Sequence, residues 1–184
     1  MAIHSNTALI LIDVQIGFDD PFWGTRNNPE AETNMEKLLT TWRAAGRPVI
    51  HVQHLSVQDN PLNANLPTIA FKPFAQPQEG EPIFTKQVNS AFIGTDLEGY
   101  LRETGIEQLV IAGLTTNHCV STTTRMAGNL GFETYLVADA CATFERTGHD
   151  GKTYDAQTVH DLALASIHNE FATVVNTIDI SAEQ

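Results

Sequence analysis

Cys119 stands at a point in the sequence where a cysteine thiol can act as a nucleophile. The preceding residues 109–112 (LVIA) are apolar and rich in β-branched types, which predicts a buried strand that ends at Gly113. Residues 115–117 (TTN) are helix-capping types, so Cys119 is predicted in the first turn of a helix. The unpaired backbone N–H groups of such a turn favour the thiolate, which is the nucleophilic form, and can hold a developing oxyanion.

Asp13 and Lys86 offer the charged groups that a cysteine nucleophile requires. Asp13 closes the apolar run LILID, and Lys86 closes PIFTK. Taken separately, the aspartate fits a turn or helix cap, the lysine a solvated surface group and Cys119 a small buried side chain. Together they form a workable proton shuttle, charge partner and nucleophile, because the lysine stabilises both a thiolate and a carboxylate.

The other cysteine and the histidines give weaker signals. Cys141, in VADACATF, follows a predicted strand without capping residues and is expected to be structural. The two cysteines form no CxxC motif and no zinc-ligand spacing, so neither a metal site nor a disulfide is predicted. His51 and His54 face opposite sides of an ideal strand, which disfavours a joint metal site. His54 and His118 are candidates for a substrate pocket, although a surface or capping position fits His118 equally well.

Four aromatic residues lie in predicted loops after strands: Phe18, Trp23, Phe92 and Phe144. Large apolar side chains in loops typically line a pocket or an interface, and core packing beneath the loop is the alternative. No dinucleotide-binding GxGxxG, P-loop or GxSxG motif occurs, so nucleotide-binding and serine-hydrolase functions have no support.

Strands and helices alternate along the chain. This alternation predicts a mostly parallel sheet covered by helices on both faces, with ligands bound beyond the carboxyl ends of the strands. Asp13, Lys86 and Cys119 all follow such strand ends. The polar residues 55–81 predict a long loop of the kind that often carries function. The predicted strands are 8–13, 49–53, 83–85, 108–112, 134–138 and 173–175, and the predicted helices are 29–45, 95–104, 117–130 and 153–169.

The overall composition indicates a globular protein. The chain has 184 residues, of which 42% are hydrophobic and 17% charged, enough for a stable core. No apolar run reaches the ~20 residues that span a bilayer, and the first strand lacks the features of a signal peptide, so a cytoplasmic protein is expected. Ten Lys and Arg against 22 Asp and Glu give a net charge of −12, which disfavours nucleic acid and membranes as partners. The same charge mildly disfavours anionic substrates, although local positive groups dominate at short range.

The combined motifs resemble the isochorismatase-like cysteine hydrolases, a family that includes nicotinamidases and N-carbamoylsarcosine amidase. The resemblance runs over nearly the whole chain and rests on ALILIDVQIGF, FTKQVNSAFIGTDL and VIAGLTTNHCVSTTTRMAGNLGFETYLVADACATF. It implies a single domain over residues 1–184 with a Rossmann-like three-layer α/β/α fold around a mostly parallel six-stranded sheet. Because family members are commonly oligomeric, it also implies a homo-oligomer, a dimer or tetramer.

The resemblance also implies roles for individual residues. It implies a catalytic triad of Asp13, Lys86 and Cys119 and a cis peptide bond between Leu114 and Thr115. That bond would direct the backbone N–H groups of Thr115 and Cys119 at a substrate oxygen, forming an oxyanion hole.

One departure from the family pattern concerns metals. Nicotinamidases carry an Asp-x-His metal motif at the end of the second strand and a further histidine in the following loop. Here the segment is HVQHLSV: Val52 stands in place of the aspartate, His54 matches one ligand, and no histidine follows in the loop. The resemblance with this departure therefore implies no metal and no cofactor.

The expected activity is the metal-independent hydrolysis of an amide or ureido-type C–N bond in a small molecule, through a covalent thioester on Cys119. Two alternatives stay open. One is the hydrolysis of an isochorismate-like vinyl ether, which would depend on Asp13 and Lys86 for proton transfer and less on the thiol. The other is a non-catalytic redox or binding protein in which Cys119 is a sensor thiol.

Overall fold

The computed structural model describes residues 3–181 of the chain. Its strands are β1 (Ala8–Ile12), β2 (Val49–His54), β3 (Ile83–Lys86), β4 (Gln108–Leu114), β5 (Glu133–Ala142), β6 (Arg146–Thr147), β7 (Thr153–Tyr154) and β8 (Thr173–Val175). Its α-helices are α1 (Ala31–Ala44), α2 (Leu97–Glu103), α3 (Ser121–Asn129), α4 (Ala156–Ala165) and α5 (Thr177–Ser181). Six strands form one sheet in the order β3-β2-β1-β4-β5-β8, and every neighbouring pair is parallel. The predicted α/β fold is confirmed, and the sheet is parallel throughout.

The two faces of the sheet bury separate cores. Alternate residues of a strand point to opposite faces, so Leu9 and Leu11 of β1 join one core while Ile10 and Ile12 join the other. Residues of α1 and α5 cover the first face, and residues of α2 and α3 cover the second. Covering both faces explains why β1 is apolar at every position and β4 at every position after Gln108. Within residues 3–181, no helix combines the length and the apolar composition that crossing a bilayer requires.

The apolar face of α1 agrees with its sequence pattern. Met35, Leu38, Leu39 and Trp42 recur at helical spacing and are all buried. Trp42 also donates its indole N–H to the carbonyl oxygen of Thr7 at 2.9 Å. This helix is therefore fixed to the chain immediately before β1, which leads to Asp13.

The predicted helix over residues 153–169 is wrong at both ends. Residues 153 and 154 form β7, which pairs with β6 as an antiparallel hairpin. The helix α4 begins after Asp155, whose carboxylate accepts the backbone N–H of Thr158 at 2.9 Å and so caps the helix. Leu162 is 62% exposed, so the apolar period there does not mark a fully buried face.

The strand β5 is longer than predicted and includes Cys141. It runs to Ala142 with a register shift against β4 between Ile111 and Gly113, and β4 itself continues through Gly113 to Leu114. The Cys141 side chain is fully buried, and burial raises its pKa to about 12. A thiol with so high a pKa is unreactive near neutral pH, in agreement with a structural cysteine.

Gly113 permits close contact between β4 and β1 beside Asp13. Its φ is +133°, and a Cβ atom at this position would overlap the carbonyl oxygen of Ile12. We expect Gly113→Ala to lose at least about 2 kcal/mol of stability and to lower Tm by at least about 4 °C, since both the backbone conformation and the contact oppose a side chain. Thermal unfolding followed by circular dichroism measures this change.

Gly131 provides the matched control for that substitution. Its φ is +84°, but no other group of residues 3–181 lies within 4 Å of the point that a Cβ atom would occupy. Gly131→Ala therefore reports the backbone strain without the steric contact, and we expect it to lose about 1 kcal/mol. Equal losses of Tm in the two variants would contradict the steric explanation.

Candidate active site

Four neighbouring strands each bring one functional side chain to the carboxyl edge of the sheet. Lys86 is the last residue of β3, His54 is the last residue of β2, and Asp13 directly follows β1. Cys119 lies in a π-helical turn, Thr116–Val120, that follows β4. Asp13 has φ +53°, a left-handed conformation that aspartate tolerates better than most residues. The predicted convergence of Asp13, Lys86 and Cys119 is confirmed.

Lys86 bridges Asp13 and His54. Its Nζ donates to Asp13 Oδ2 at 2.7 Å and to His54 Nδ1 at 2.9 Å. The side chains of Lys86 and Asp13 are both fully buried. The ammonium and the carboxylate therefore stabilise each other, because either charge buried alone at this position would be strongly unfavourable.

His54 is a neutral imidazole at the wall of the site. Because an ammonium group only donates, His54 Nδ1 must accept, and the ring proton lies on Nε2. Burial of the ring, together with the positive charge of Lys86, lowers the pKa of His54. Sequence spacing alone identifies His54 as a pocket candidate, but its contact with Lys86 depends on the register of β2 and β3.

One oxygen of Asp13 has no hydrogen-bond partner within residues 3–181. Oδ2 is bound to Lys86, whereas Oδ1 is buried without a hydrogen-bond partner among the described residues. Such unsatisfied buried acceptors are uncommon in folded proteins. A carboxylate oxygen of Asp13, a ring nitrogen of His54 and the Cys119 sulfur all lie within 4.8 Å of one another. The carboxylate beside the thiol therefore has one oxygen that no other described group engages.

The surroundings of Cys119 favour the protonated thiol, which corrects the thiolate predicted from its position in a helix turn. Burial and then the negative charge of Asp13 raise the pKa of Cys119 well above its usual range, and Lys86 opposes them only in part. The Cys119 Sγ lies 4.0 Å from His54 Nδ1 and 3.9 Å from Asn89 Oδ1. A nucleophile in this environment must lose its proton to a nearby base as it attacks.

The residues expected to cap the helix make other contacts. No side chain caps the turn that holds Cys119. Instead, Thr116 Oγ1 lies 2.8 Å from Nδ1 of the buried His160, and Asn117 Oδ1 accepts the hydroxyl hydrogen of Thr143 at 2.5 Å. These contacts attach the turn to α4 and to the chain after β5. The peptide bond between residues 114 and 115 is cis.

A cavity of about 300 Å³ opens over Cys119. Four of the predicted pocket residues line it: Phe18, Trp23, His54 and His118. Burial, assisted by the nearby charge of Arg146, lowers the pKa of His118. The rest of the wall combines neutral polar and apolar side chains with one arginine: Ser56, Val57, Gln58, Asn60, Leu62, Gln87, Asn89, Thr115 and Arg146.

Phe92 and Phe144 do not line this cavity, so their prediction as pocket residues is wrong. Phe144 packs behind the cavity wall, with ring centroids 6.2 Å from Phe18 and 6.1 Å from Trp23. Phe92 stacks on Phe132 at 6.1 Å, within the core on the other face of the sheet. In both cases the alternative of core packing beneath the loop is correct.

An ion network fixes residues 16–26, the loop that carries two of the cavity aromatics. Glu32 on α1 accepts from Arg26 at 2.5 Å and from Lys72 at 2.9 Å, and Lys72 also binds Asp19 at 2.5 Å. Although burial opposes ionisation, the hydrogen bonds from Arg26 and Lys72 lower the pKa of Glu32 to about 2. The loop is therefore tied to α1 and to the long loop 55–81.

Sequence reasoning missed Arg146 and Asn89. Arg146 belongs to the two-residue strand β6, which is too short for a periodic signal. Asn89 follows Lys86 by three residues in a polar loop, and this proximity is the one feature of the sequence that could have indicated a position in the site. Both residues reach the cavity through loop geometry, which residue types do not encode.

Asp13, His54 and Cys119 form the one cluster among the described residues that could ligate a metal ion. A zinc ion bound by all three would lie about 2.0–2.3 Å from each ligand atom. The ammonium group of Lys86 already contacts Asp13 and His54. Val52 is buried in the core and adds no ligand. The residues present therefore fit a protein cation at this position better than a metal ion.

Nearly the whole chain is similar to proteins of one family. The isochorismatase domain matches residues 7–179. The isochorismatase family protein YrdC of Bacillus subtilis is 51% identical over 178 residues, which cover 95% of this chain and 94% of that protein. Maleamate amidohydrolase of Pseudomonas putida is 31% identical over 167 residues, covering 80% of this chain and 78% of the other. A crystal structure of an isochorismatase-family hydrolase from Chromobacterium violaceum has a TM-score of 0.95 at 44% identity, covering 100% of this chain and 96% of that one. The chain therefore belongs to the isochorismatase family of hydrolases.

Proposed function

We propose that the protein is a metal-independent cysteine hydrolase that cleaves an amide or ureido-type C–N bond in a small molecule. The observation that carries this proposal is the buried carboxylate of Asp13, which lies within 4.8 Å of the Cys119 sulfur and whose Oδ1 has no hydrogen-bond partner among residues 3–181. The Asp13 carboxylate can accept the proton that the Cys119 thiol must lose before its sulfur can attack. A purely structural cysteine would require neither the buried carboxylate nor its ammonium partner.

The first half of the reaction forms a thioester. Asp13 Oδ1 accepts the thiol proton while the Cys119 sulfur attacks the carbonyl carbon of the substrate. Thr115 and Cys119 both line the cavity, and their backbone N–H groups donate to the carbonyl oxygen as it becomes negative. Asp13 then returns the proton to the leaving nitrogen as the C–N bond breaks. Lys86 holds the carboxylate in position and balances its charge.

The second half restores the enzyme. A water molecule attacks the thioester carbon and gives a proton to Asp13, the C–S bond breaks, and the sulfur takes that proton back. The products are a carboxylic or carbamic acid and an amine or ammonia. His54 stays neutral, and its Nδ1 accepts a hydrogen bond from Lys86. We therefore assign His54 to the polar wall of the cavity and Asp13 to the role of base.

One named relative supports this choice of bond. One relative, 31% identical over most of both chains, is an amidohydrolase by name and acts on maleamate. The cavity wall also supplies several amide side chains, such as Gln87 and Asn89, which can donate to and accept from a polar amide or ureido group.

A quenched-reaction experiment tests the proposal. The purified protein is incubated with a panel of small primary amides, carbamoyl compounds and isochorismate. Ammonia is measured for the amides and carbamoyl compounds and pyruvate for isochorismate, and samples quenched in acid are analysed by intact and peptide mass spectrometry. We expect ammonia from at least one amide or carbamoyl compound and an acyl adduct on the peptide that contains Cys119. Turnover of isochorismate alone, without an adduct, would replace the proposal with vinyl ether hydrolysis. No turnover of any compound would contradict both enzymatic activities.

A further inference from the structure

Arg146 is a cation in the wall of the cavity that has no partner among the described residues. The chain has ten Lys and Arg residues. Within residues 3–181, nine of them make a side-chain hydrogen bond, an ion pair or a contact with an aromatic ring. Arg146 makes none of these with that part of the chain, and its Nε is buried without a hydrogen-bond partner there. A half-buried guanidinium without such partners in the described protein indicates a ligand that accepts its hydrogen bonds.

The rest of the cavity wall, as far as residues 3–181 form it, carries no opposite charge. The chain has 22 Asp and Glu residues, yet none in the described range lines the cavity over Cys119. The lowered pKa values of His54 and His118 leave both imidazoles neutral. The Asp13 carboxylate is engaged by Lys86. An acidic protein thus presents a locally cationic pocket, and at short range this local charge outweighs the distant negative surface.

The backbone around Arg146 is fixed. Arg146 pairs with Tyr154 across the β6–β7 hairpin, and the preceding Glu145 donates its backbone N–H to Thr25 at 2.9 Å. The Glu145 carboxylate accepts from the Thr25 N–H, so this neighbouring acid is directed to another loop. The backbone that carries the guanidinium is therefore held in place, so that binding a ligand need order only the side chain.

We propose that Arg146 binds a carboxylate group on the substrate whose carbonyl carbon Cys119 attacks. This inference rests on the proposed function and narrows its substrates to small amides or ureido compounds that also carry a carboxylate. The planar guanidinium fork matches the two oxygens of a carboxylate. The cavity of about 300 Å³ is at the small end of ligand pockets, so the two groups belong to one compact molecule.

Binding to the Cys119→Ala protein, which cannot form a thioester, tests the inference without turnover. Malonamate, succinamate and glutaramate are each compared with the corresponding neutral diamide by isothermal titration calorimetry. The members of each pair differ in one group, a carboxylate or a carboxamide. We expect at least one monoamide anion to bind about 10- to 100-fold more tightly than its diamide, the range for a hydrogen bond to a charged group.

Further substitutions in the same Cys119→Ala background show which residue causes the preference for the anion over the diamide. Arg146→Met should abolish it, and Arg146→Lys should retain part of it, because lysine keeps the charge but loses the fork. Lys37→Met removes the same charge from the exposed surface of α1 and should leave the preference unchanged. Equal binding of anion and diamide, or a preference that survives Arg146→Met, would overturn the inference.

The two proposals can fail separately. Hydrolysis of neutral amides by the unmodified protein, without any preference for the anion, would support the proposed function and overturn the assignment of Arg146. Tight, Arg146-dependent binding of a monoamide that is never hydrolysed by the unmodified protein would support the anion site and count against the hydrolase mechanism.

Discussion

Cys119→Ala is expected to lower kcat/KM by at least about 10⁴-fold, the loss typical of removing a covalent nucleophile. Alanine cannot form the thioester, and no other thiol of residues 3–181 lies in the cavity wall. The fold should survive, because the polar contacts of the sulfur with His54 and Asn89 are long, at 4.0 Å and 3.9 Å, and the substitution deletes only one buried atom. Cys119→Ser keeps the shape of the side chain and should be similarly inactive. Steady-state kinetics with the substrate found in the panel, together with thermal unfolding, measures both effects.

Cys141→Ala is the matched control. This second cysteine is fully buried in β5 and does not line the cavity. Its replacement should lose about 1–2 kcal/mol of stability through the deleted packing, while kcat/KM stays within a few-fold of the unmodified protein. The two variants should therefore show opposite patterns. Retained activity in Cys119→Ala, or lost activity in a folded Cys141→Ala, would refute the assignment of the nucleophile.

The position of the catalytic candidates could be predicted from the sequence because it follows from topology. Asp13, Lys86 and Cys119 each follow an apolar run that forms a strand of the parallel sheet. Parallel strands end at the same edge, so residues that follow them converge whatever the loops do. The apolar runs of β1 and β4 are easily identified, since both faces of the sheet are covered there. The run before Lys86 is shorter, because β3 is a four-residue strand at the edge of the sheet.

The properties that depend on loops and on desolvation could not be predicted in the same way. Phe18 and Phe144 have the same residue type and both follow a strand, yet one lines the cavity and the other packs behind it. The thiolate predicted for Cys119 assumed an exposed helix terminus, whereas burial dominates and keeps the thiol protonated. Arg146 reaches the cavity through the β6–β7 hairpin, whose strands have two residues each and whose second strand lies within the predicted helix 153–169.

Lys86→Met is expected to destabilise the protein by about 3–5 kcal/mol, because it leaves the Asp13 carboxylate buried and unpaired. Both side chains of this pair are 0% exposed, and the Nζ to Oδ2 distance is 2.7 Å. For a chain of this size, that loss lowers Tm by roughly 6–20 °C. Activity should also fall by at least about 10³-fold, since the base loses its orientation and charge partner.

Glu98→Gln is the control for the loss of an exposed ion pair. The two side chains of that pair are 46% and 48% exposed, so the substitution should change stability by less than about 0.5 kcal/mol.

The double variant Asp13→Asn/Lys86→Met separates stability from catalysis. It removes both charges and leaves neutral groups of similar size, so it should be at least about 2 kcal/mol more stable than Lys86→Met alone. It should nevertheless be inactive, because asparagine cannot accept the thiol proton. Urea unfolding of the four proteins in this cycle gives the coupling energy, and kinetics on the same samples gives the activity. A double variant that is as unstable as Lys86→Met would mean that the residues act in stability independently of their charges. Stability recovered without activity would instead mean that the buried pair is retained for proton transfer to and from Cys119, since neutral residues can hold the fold equally well.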